Sequence, residues 1–119
     1  MDDTKSVVTD PRGYTVSLSH KRYKEHIIAE SGHIDVPIGD IMNTVEAPLA
    51  IYESSKFPKR DVYFGGCSTI HPNRFVKVAV EINNQEKSGE VVTSFLTRKI
   101  GGGINETKGP KYVGFSNKL

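Results

Sequence analysis

The spacing of apolar residues divides the chain into a helical first half and a strand-rich second half. The clearest helical spacing, with apolar residues at i, i+3, i+4 and i+7, is formed by Ile38, Ile41, Met42 and Val45. This stripe predicts a helix that Asp35 caps, that has Pro37 in its first turn and that ends at Pro48. An earlier helix is expected over residues 20–31, with Ser19 as its N-cap.

Beyond Pro48 the apolar period changes from about 3.6 to two, which is typical of strands. Strands are predicted over residues 14–18, 49–53, 61–70, 74–82, 91–100 and, in the tail, 111–115. Gly65 and Gly66 indicate a bulge or turn inside the 61–70 strand. The polar segment 83–89 predicts a hairpin connection between the next two strands.

This order of elements predicts an α+β fold: two N-terminal helices packed on one face of a four- to five-stranded antiparallel sheet. Residues 1–13 are expected to be a flexible N-terminal arm, and residues 14–119 a single domain. The sheet face away from the helices would carry Lys77, Glu81, Thr93, Thr97 and Lys99. A face of this kind is either solvated or binds a ligand, and the pattern leaves both open.

Composition narrows the classes of protein without naming one. The 119 residues are 36% hydrophobic and 25% charged, as in ordinary globular chains. The net charge of +2 conceals a split: residues 1–55 hold five basic and nine acidic groups, whereas residues 56–119 hold eleven basic and five acidic groups. Such asymmetry is consistent with an anion-binding surface in the second half.

The single cysteine, Cys67, excludes an internal disulfide framework and suits a reducing compartment. The polar start has no apolar signal core, and no apolar stretch approaches the roughly 18 residues that span a membrane. A cytoplasmic site of action without a membrane partner is therefore expected. Cys67 and His71 lie four residues apart, but no second ligand pair follows at zinc-finger spacing, so no metal and no cofactor is predicted.

Several short segments occur in an order that resembles one nuclease superfold. They are His26-Ile27, His33-Ile34, residues 46–52 (EAPLAIY), residues 60–63 (RDVY), residues 76–81 (VKVAVE) and residues 89–97 (GEVVTSFLT). Over residues 14–103 the chain resembles the phage-type nuclease and toxin domains of the barnase–EndoU–colicin–RelE superfold. It departs from that pattern at residues 31–34, where the family often has a His-Pro-Glu-like turn, so His33 receives no role.

The resemblance implies a metal-independent endoribonuclease with toxin-like action on tRNA or other translation RNA. In such a reaction the 2′-hydroxyl of RNA loses its proton to the enzyme and attacks the neighbouring phosphate, the bond to the 5′-oxygen breaks as that oxygen receives a proton, and cationic donors stabilise the phosphorane. His26 is the candidate general acid or base, and Thr97 the candidate for positioning the phosphate. The candidates for the cationic role are Arg98, Lys99 and Lys77, and Glu81 is a carboxylate alternative as base. The candidate RNA-binding residues are Arg60, Thr93 and Tyr63.

Each candidate also has an ordinary structural explanation, since His26 lies at the border of a helical stripe and exposed cations are usually solvated. The alternative function is a catalytically inert RNA- or protein-binding domain of a phage or mobile-element protein. An active toxin would need an acidic immunity or antitoxin protein as a partner, complementary to the basic groups. Some members of the superfold are parts of larger phage or secreted proteins, so delivery within such a protein is a further expectation.

Overall fold

The computed structural model describes residues 4–28 and 36–114, with the side chains of His26 and Ile28 excepted. The strands are β1 (Lys5–Thr9), β2 (Thr15–Ser19), β3 (Ala50–Glu53), β4 (Arg60–Cys67), β5 (Phe75–Asn83), β6 (Ser88–Thr97) and β7 (Tyr112–Val113). The helices are α1 (His20–Arg22), a π-helix (Tyr23–Ile28) that continues it, and α2 (Ile38–Glu46). Within these residues no helix has the length and apolar character needed to cross a membrane.

The strands form one seven-stranded sheet in the order β1-β2-β6-β5-β4-β3-β7. All neighbours are antiparallel except β2 and β6, which run parallel, with Thr15 opposite Ser88 and Ser17 opposite Glu90. The expected four- to five-stranded antiparallel sheet under two helices is therefore wrong. The sheet is mixed because β2, besides its antiparallel pairing with β1, pairs in parallel with the distant strand β6.

The segment expected as an arm contributes β1, which forms an antiparallel hairpin with β2. Asp10 stabilises the turn between these strands, since its Oδ1 atom accepts hydrogen bonds from the backbone N–H groups of Arg12 and Tyr14, each at 2.9 Å. Val8 packs against the main core from β1. The first residues of the described chain thus belong to the sheet.

The first predicted helix begins where expected, because Ser19 Oγ accepts the backbone N–H of Arg22 at 3.1 Å. Only one α-helical turn forms, however, and from Tyr23 to Ile28 the chain is a π-helix. The remainder of that predicted helix, and the proposed cap Asp35, lie outside the described residues. α2 confirms the second predicted helix and its apolar stripe, with Ile41 and Val45 fully buried. Pro37, predicted in the first turn, is instead the N-cap residue in extended conformation.

Two apolar clusters cover the two faces of the sheet. The main core lies on the helix side and includes Val16, Leu18, Ile27, Ile41, Val45, Tyr63, Val78 and Val80. A smaller cluster on the opposite face joins Val62 and Phe64 of β4 to Ile104 of the C-terminal segment. Because of this cluster the far face is covered over β4, and it remains accessible over β5 and β6. The bulge predicted at Gly65 and Gly66 is confirmed by a register shift between Phe64 and Cys67.

Candidate functional site

The accessible part of the far face is built by the pairing of β5 with β6. Lys77 lies opposite Phe95 in this register, and Phe75 lies opposite Thr97. Directly opposite residues project to the same side of a sheet. Phe95 is 39% exposed, which is unusual for a phenylalanine in the interior of a strand pair.

Lys77 occupies the centre of this face and is only half-exposed. Its Nζ atom lies 5.0 Å from the ring centre of Phe95 and 5.6 Å from that of Phe64. The same ammonium group donates hydrogen bonds to the carbonyl oxygens of Gly101, at 3.4 Å, and Gly102, at 2.7 Å. Burial lowers the pKa of Lys77, and the nearby charge of Lys56 lowers it further.

These contacts define a surface that we name the basic patch: Lys56, Lys77, Phe95 and Lys99. Lys99 is included because its side chain lies beside Gly101, whose carbonyl accepts from Lys77. The Cε atom of Lys99 is about 4.0 Å from the position that a Cβ on Gly101 would take. In the part of the chain that the structure describes, none of the three lysines belongs to an ion pair. Their charges are therefore available to an external anion.

Thr97, Arg98 and Lys99 lie at the end of β6, where the strand period stops. Thr97 Oγ1 donates to the backbone carbonyl of Lys99 at 3.1 Å, so the hydroxyl predicted to position a phosphate stabilises a turn here. Arg98 and Lys99 are both exposed. Thr93, also predicted for this site, is half-buried one pair along from Phe95 and lies opposite Ala79.

Arg60, one of the predicted RNA-binding residues, has its charge engaged within the fold. Its Nε atom lies 3.1 Å from Glu81 Oε1, and its guanidinium carbon stacks 4.1 Å from the ring centre of Phe57. Glu81, the alternative base, is the other half of that ion pair. Both residues lie opposite each other at one end of the β4–β5 pair, and their ion pair leaves less free charge than the sequence indicated.

Tyr63 is fully buried on the helix side of the sheet, so stacking of its ring on an RNA base is excluded. Its hydroxyl donates to Asp10 Oδ2 at 2.6 Å and accepts from Arg12 Nη2 at 2.9 Å. Burial, followed by the hydrogen bond to Asp10, raises the pKa of Tyr63. Tyr63 is a structural residue that ties the β1–β2 turn to β4.

A charged cluster that the sequence did not reveal surrounds this tyrosine. Asp61 Oδ2 lies 3.0 Å from Arg12 Nη1, an ionic contact outside hydrogen-bonding geometry, and Asp61 Oδ1 accepts from Lys111 Nζ at 2.8 Å. Arg12 also pairs with Asp10 at 3.1 Å. Two acidic and two basic residues thus neutralise one another inside the fold. Their separation along the chain leaves no local signal for the cluster.

The side chain of His26 and the whole of His33 lie outside the described residues. The backbone of His26 belongs to the π-helix, whose Ile27 is buried in the main core. Lys77 projects to the opposite face of the sheet. The predicted acid–base segment and the basic patch are thus on different sides of the β-sheet.

The remaining candidate chemistry is sparse in the described chain. Cys67 is an exposed free thiol, and no group of three His, Cys, Asp or Glu side chains there is arranged to hold a metal ion. Comparisons with protein-family models, curated proteins and solved structures find no significant match for this chain. The case for function therefore depends on the surfaces themselves.

Proposed function

We propose that the basic patch binds single-stranded RNA, which corresponds to the binding-domain alternative drawn from the sequence. The observation that carries the proposal is the exposed ring of Phe95 beside the ammonium group of Lys77. Proteins that bind single strands combine cations along the phosphate backbone with aromatic rings on which bases stack. The basic patch offers both on one face of two paired strands.

The arrangement of charges supports a polyanion as the ligand. Lys56 is close enough to lower the pKa of Lys77, Lys99 lies beside the Gly101 whose carbonyl Lys77 binds, and Arg98 directly follows β6. A phosphate group would bind the Lys77 ammonium in place of the Gly101 and Gly102 carbonyls. Alternatively, it would bind Lys56 and Lys99 while Lys77 keeps its hydrogen bonds to those carbonyls. An acidic inhibitor protein would fit the same surface, because it would present carboxylates to the same cations.

The test is fluorescence anisotropy with a labelled single-stranded RNA of about ten nucleotides. If four cations contact phosphates, log K should fall against log salt with a slope of about −3. Phe95→Leu keeps apolar volume but removes the ring, and it should weaken binding by about fivefold or more, since stacking contributes roughly 1–3 kcal/mol per base. Lys99→Gln should reduce both affinity and salt slope.

Lys24→Gln is the matched control, because it removes one exposed lysine from the π-helix on the other side of the sheet. It should bind RNA like the wild type after the small change in net charge is allowed for. If Phe95→Leu and Lys99→Gln bind RNA as Lys24→Gln does, the basic patch is not the binding surface. A salt slope near zero would reject a polyanion altogether.

Endoribonuclease activity is the second proposal. It is supported by the sequence resemblance and by the exposed cations Arg98 and Lys99 beside Thr97. The assay is incubation with total tRNA in EDTA, beside Arg98→Gln and Lys99→Gln, because the His26 segment lies on the other side of the sheet from these cations. Cleavage that leaves a 2′,3′-cyclic phosphate and is lost in either variant supports the proposal, whereas RNA that stays intact at saturating protein concentration rejects nuclease activity and leaves the inert binding domain.

A further inference from the structure

A polar cleft lies where β2 ends and α1 begins, well separated along the sheet from the basic patch. Its volume is about 240 Å³. It is lined by Lys5, Ser17, Ser19, Lys21, Arg22, Glu25, Glu90 and Val91. We name it the β2–α1 cleft.

The sheet register explains why these residues meet. Lys5 lies opposite Ser19 in the β1–β2 pair, and Ser17 lies opposite Glu90 in the parallel β2–β6 pair. The chain then turns directly into α1, which brings Arg22 to the same cleft. The cleft exists only because β2 pairs with both neighbours.

The wall of the cleft is fixed by hydrogen bonds that do not use its charges. Ser19 Oγ accepts the backbone N–H of Arg22, and the backbone N–H of His20 donates to the Thr4 carbonyl at 2.9 Å. Ser6 Oγ and His20 Nε2 are hydrogen-bonded at 2.8 Å. These contacts hold the start of α1 against β1, so the cleft is preorganised.

Its charged groups, in contrast, form no ion pair with described residues. The described part of the lining carries three cations and two carboxylates, a net charge of +1: Lys5, Lys21, Arg22, Glu25 and Glu90. Among residues 4–28 and 36–114, none of the five belongs to an ion pair. Arg22 is half-buried, so its guanidinium has lost part of its contact with water. A bound anion would offset this cost of desolvation.

We propose that the β2–α1 cleft binds a small sugar phosphate. A phosphate monoester carries a charge of about −1.5 to −2 at neutral pH and would bind Arg22 and the two lysines through charge-assisted hydrogen bonds. Glu25 and Glu90 would accept hydrogen bonds from the sugar hydroxyls. Among the described residues that line the cleft, Val91 is the only apolar one and none is aromatic, so they offer carboxylates and hydroxyls for the hydroxyls of a sugar and no aromatic ring for a nucleobase, which favours a sugar phosphate over a nucleotide.

The test titrates the whole chain with ribose 5-phosphate, ribose and inorganic phosphate, followed by calorimetry and by amide chemical shifts. Ribose 5-phosphate should bind saturably and more tightly than inorganic phosphate, with shifts centred on the β2–α1 cleft, and ribose alone should not bind. Arg22→Gln should weaken ribose 5-phosphate by about tenfold, a loss of about 1.4 kcal/mol. Glu90→Gln should reduce the preference for ribose 5-phosphate over inorganic phosphate.

Lys99→Gln, which alters the basic patch, is the control and should leave sugar phosphate binding unchanged. Circular dichroism and thermal unfolding establish that each variant is folded. Absence of saturable binding by wild type, or equal binding by folded Arg22→Gln, overturns the proposal. Equal affinity for inorganic phosphate and ribose 5-phosphate would reduce the site to a phosphate site and refute the role of the carboxylates.

Discussion

Neutralising Asp61 tests whether the buried charged cluster holds the N- and C-terminal segments to β4. The Asp61→Asn substitution keeps the shape of the side chain but removes the charge that faces Arg12 and Lys111. The Asp61 side chain is 3% exposed, whereas those of Arg12 and Lys111 are 19% and 39% exposed. The perturbation therefore leaves two cations beside a neutral group.

The expected magnitude follows from these exposures. Removing one partner of a buried ion pair costs about 3–5 kcal/mol. Arg12 keeps Asp10 and the Tyr63 hydroxyl, and Lys111 is exposed enough to be solvated, so the lower end applies: about 3 kcal/mol. For a domain of this size that corresponds to a fall in Tm of about 10 °C.

Urea unfolding followed by circular dichroism measures the change, with Glu53→Gln as the matched control. Glu53 also pairs with a lysine, Lys108, at 3.2 Å, but that lysine is 64% exposed. An exposed pair of this kind contributes about 0–1 kcal/mol. If the free energies of unfolding of the two variants differ by less than about 1 kcal/mol, burial does not make the Asp61 cluster a stabilising element, and the reasoning fails.

Three further substitutions probe packing, hydrogen bonding and charge. Gly65→Ala would drive a Cβ into the Thr44 side chain and should destabilise the fold by roughly 1–3 kcal/mol. In the control Gly66→Ala the new Cβ meets no atom within 4 Å, so its stability should be near that of the wild type. Equal urea midpoints for the two variants would contradict the close contact between Gly65 and Thr44. Tyr63→Phe removes a hydroxyl that bridges an acid and a guanidinium, and a loss of about 1–3 kcal/mol is expected by chemical unfolding; an unchanged stability would argue against the bridge. The pKa of Lys77 is lowered, so its charge should be lost as pH rises at a lower pH than that of an ordinary lysine. Affinity for a 2′-O-methyl RNA strand should then decline earlier on alkaline titration in the wild type than in Lys77→Arg, and coincident profiles would exclude a role for this ammonium in binding.

The parts of the fold that the sequence predicted are those with a local, one-sided pattern. The α2 stripe has one buried face, and Ser19 sits directly before the turn that it caps. β5 and β6 are joined by a short polar loop and pair along most of their length. In each case the interactions that specify the element are close in the sequence, so a pattern a few residues long contains the information.

The faces of β4 were not predictable because both of them are buried. Val62 and Phe64 pack into the small cluster on the far face, while Tyr63 packs into the main core. Alternation carries no signal when both phases are apolar. Because of this ambiguity the sequence made Tyr63 a candidate for RNA stacking, although its ring is buried. Phe95 differs because its same-face neighbours in the strand, Thr93 and Thr97, are polar, and its ring reaches solvent.

The mixed sheet depends on pairing between distant segments. β2 meets β6 through Thr15 and Ser88, which are separated by most of the chain, and nothing in either short segment specifies a parallel neighbour. The same long-range pairing creates the β2–α1 cleft. Likewise, the Asp61 cluster joins residues from both ends of the described chain. The candidate sites are therefore not predictable from local patterns: the second-half excess of basic residues predicts an anion-binding face without locating it, and the cations of the β2–α1 cleft belong to the first half.

The two proposed surfaces should bind their ligands independently, because they lie toward opposite ends of β6. Glu90 at the cleft and Phe95 at the basic patch are five residues apart on β6, or about 17 Å at 3.3 Å per residue. This exceeds the Debye length of about 8 Å at physiological salt, so charge at one surface is largely screened from the other. Saturating ribose 5-phosphate should therefore change RNA affinity by less than about twofold, and the free-energy losses of Arg22→Gln and Lys99→Gln should not influence one another. Anisotropy titrations with and without the sugar phosphate measure this coupling. Direct competition between the two ligands would mean that RNA phosphates occupy the β2–α1 cleft, and that the basic patch is not a separate site.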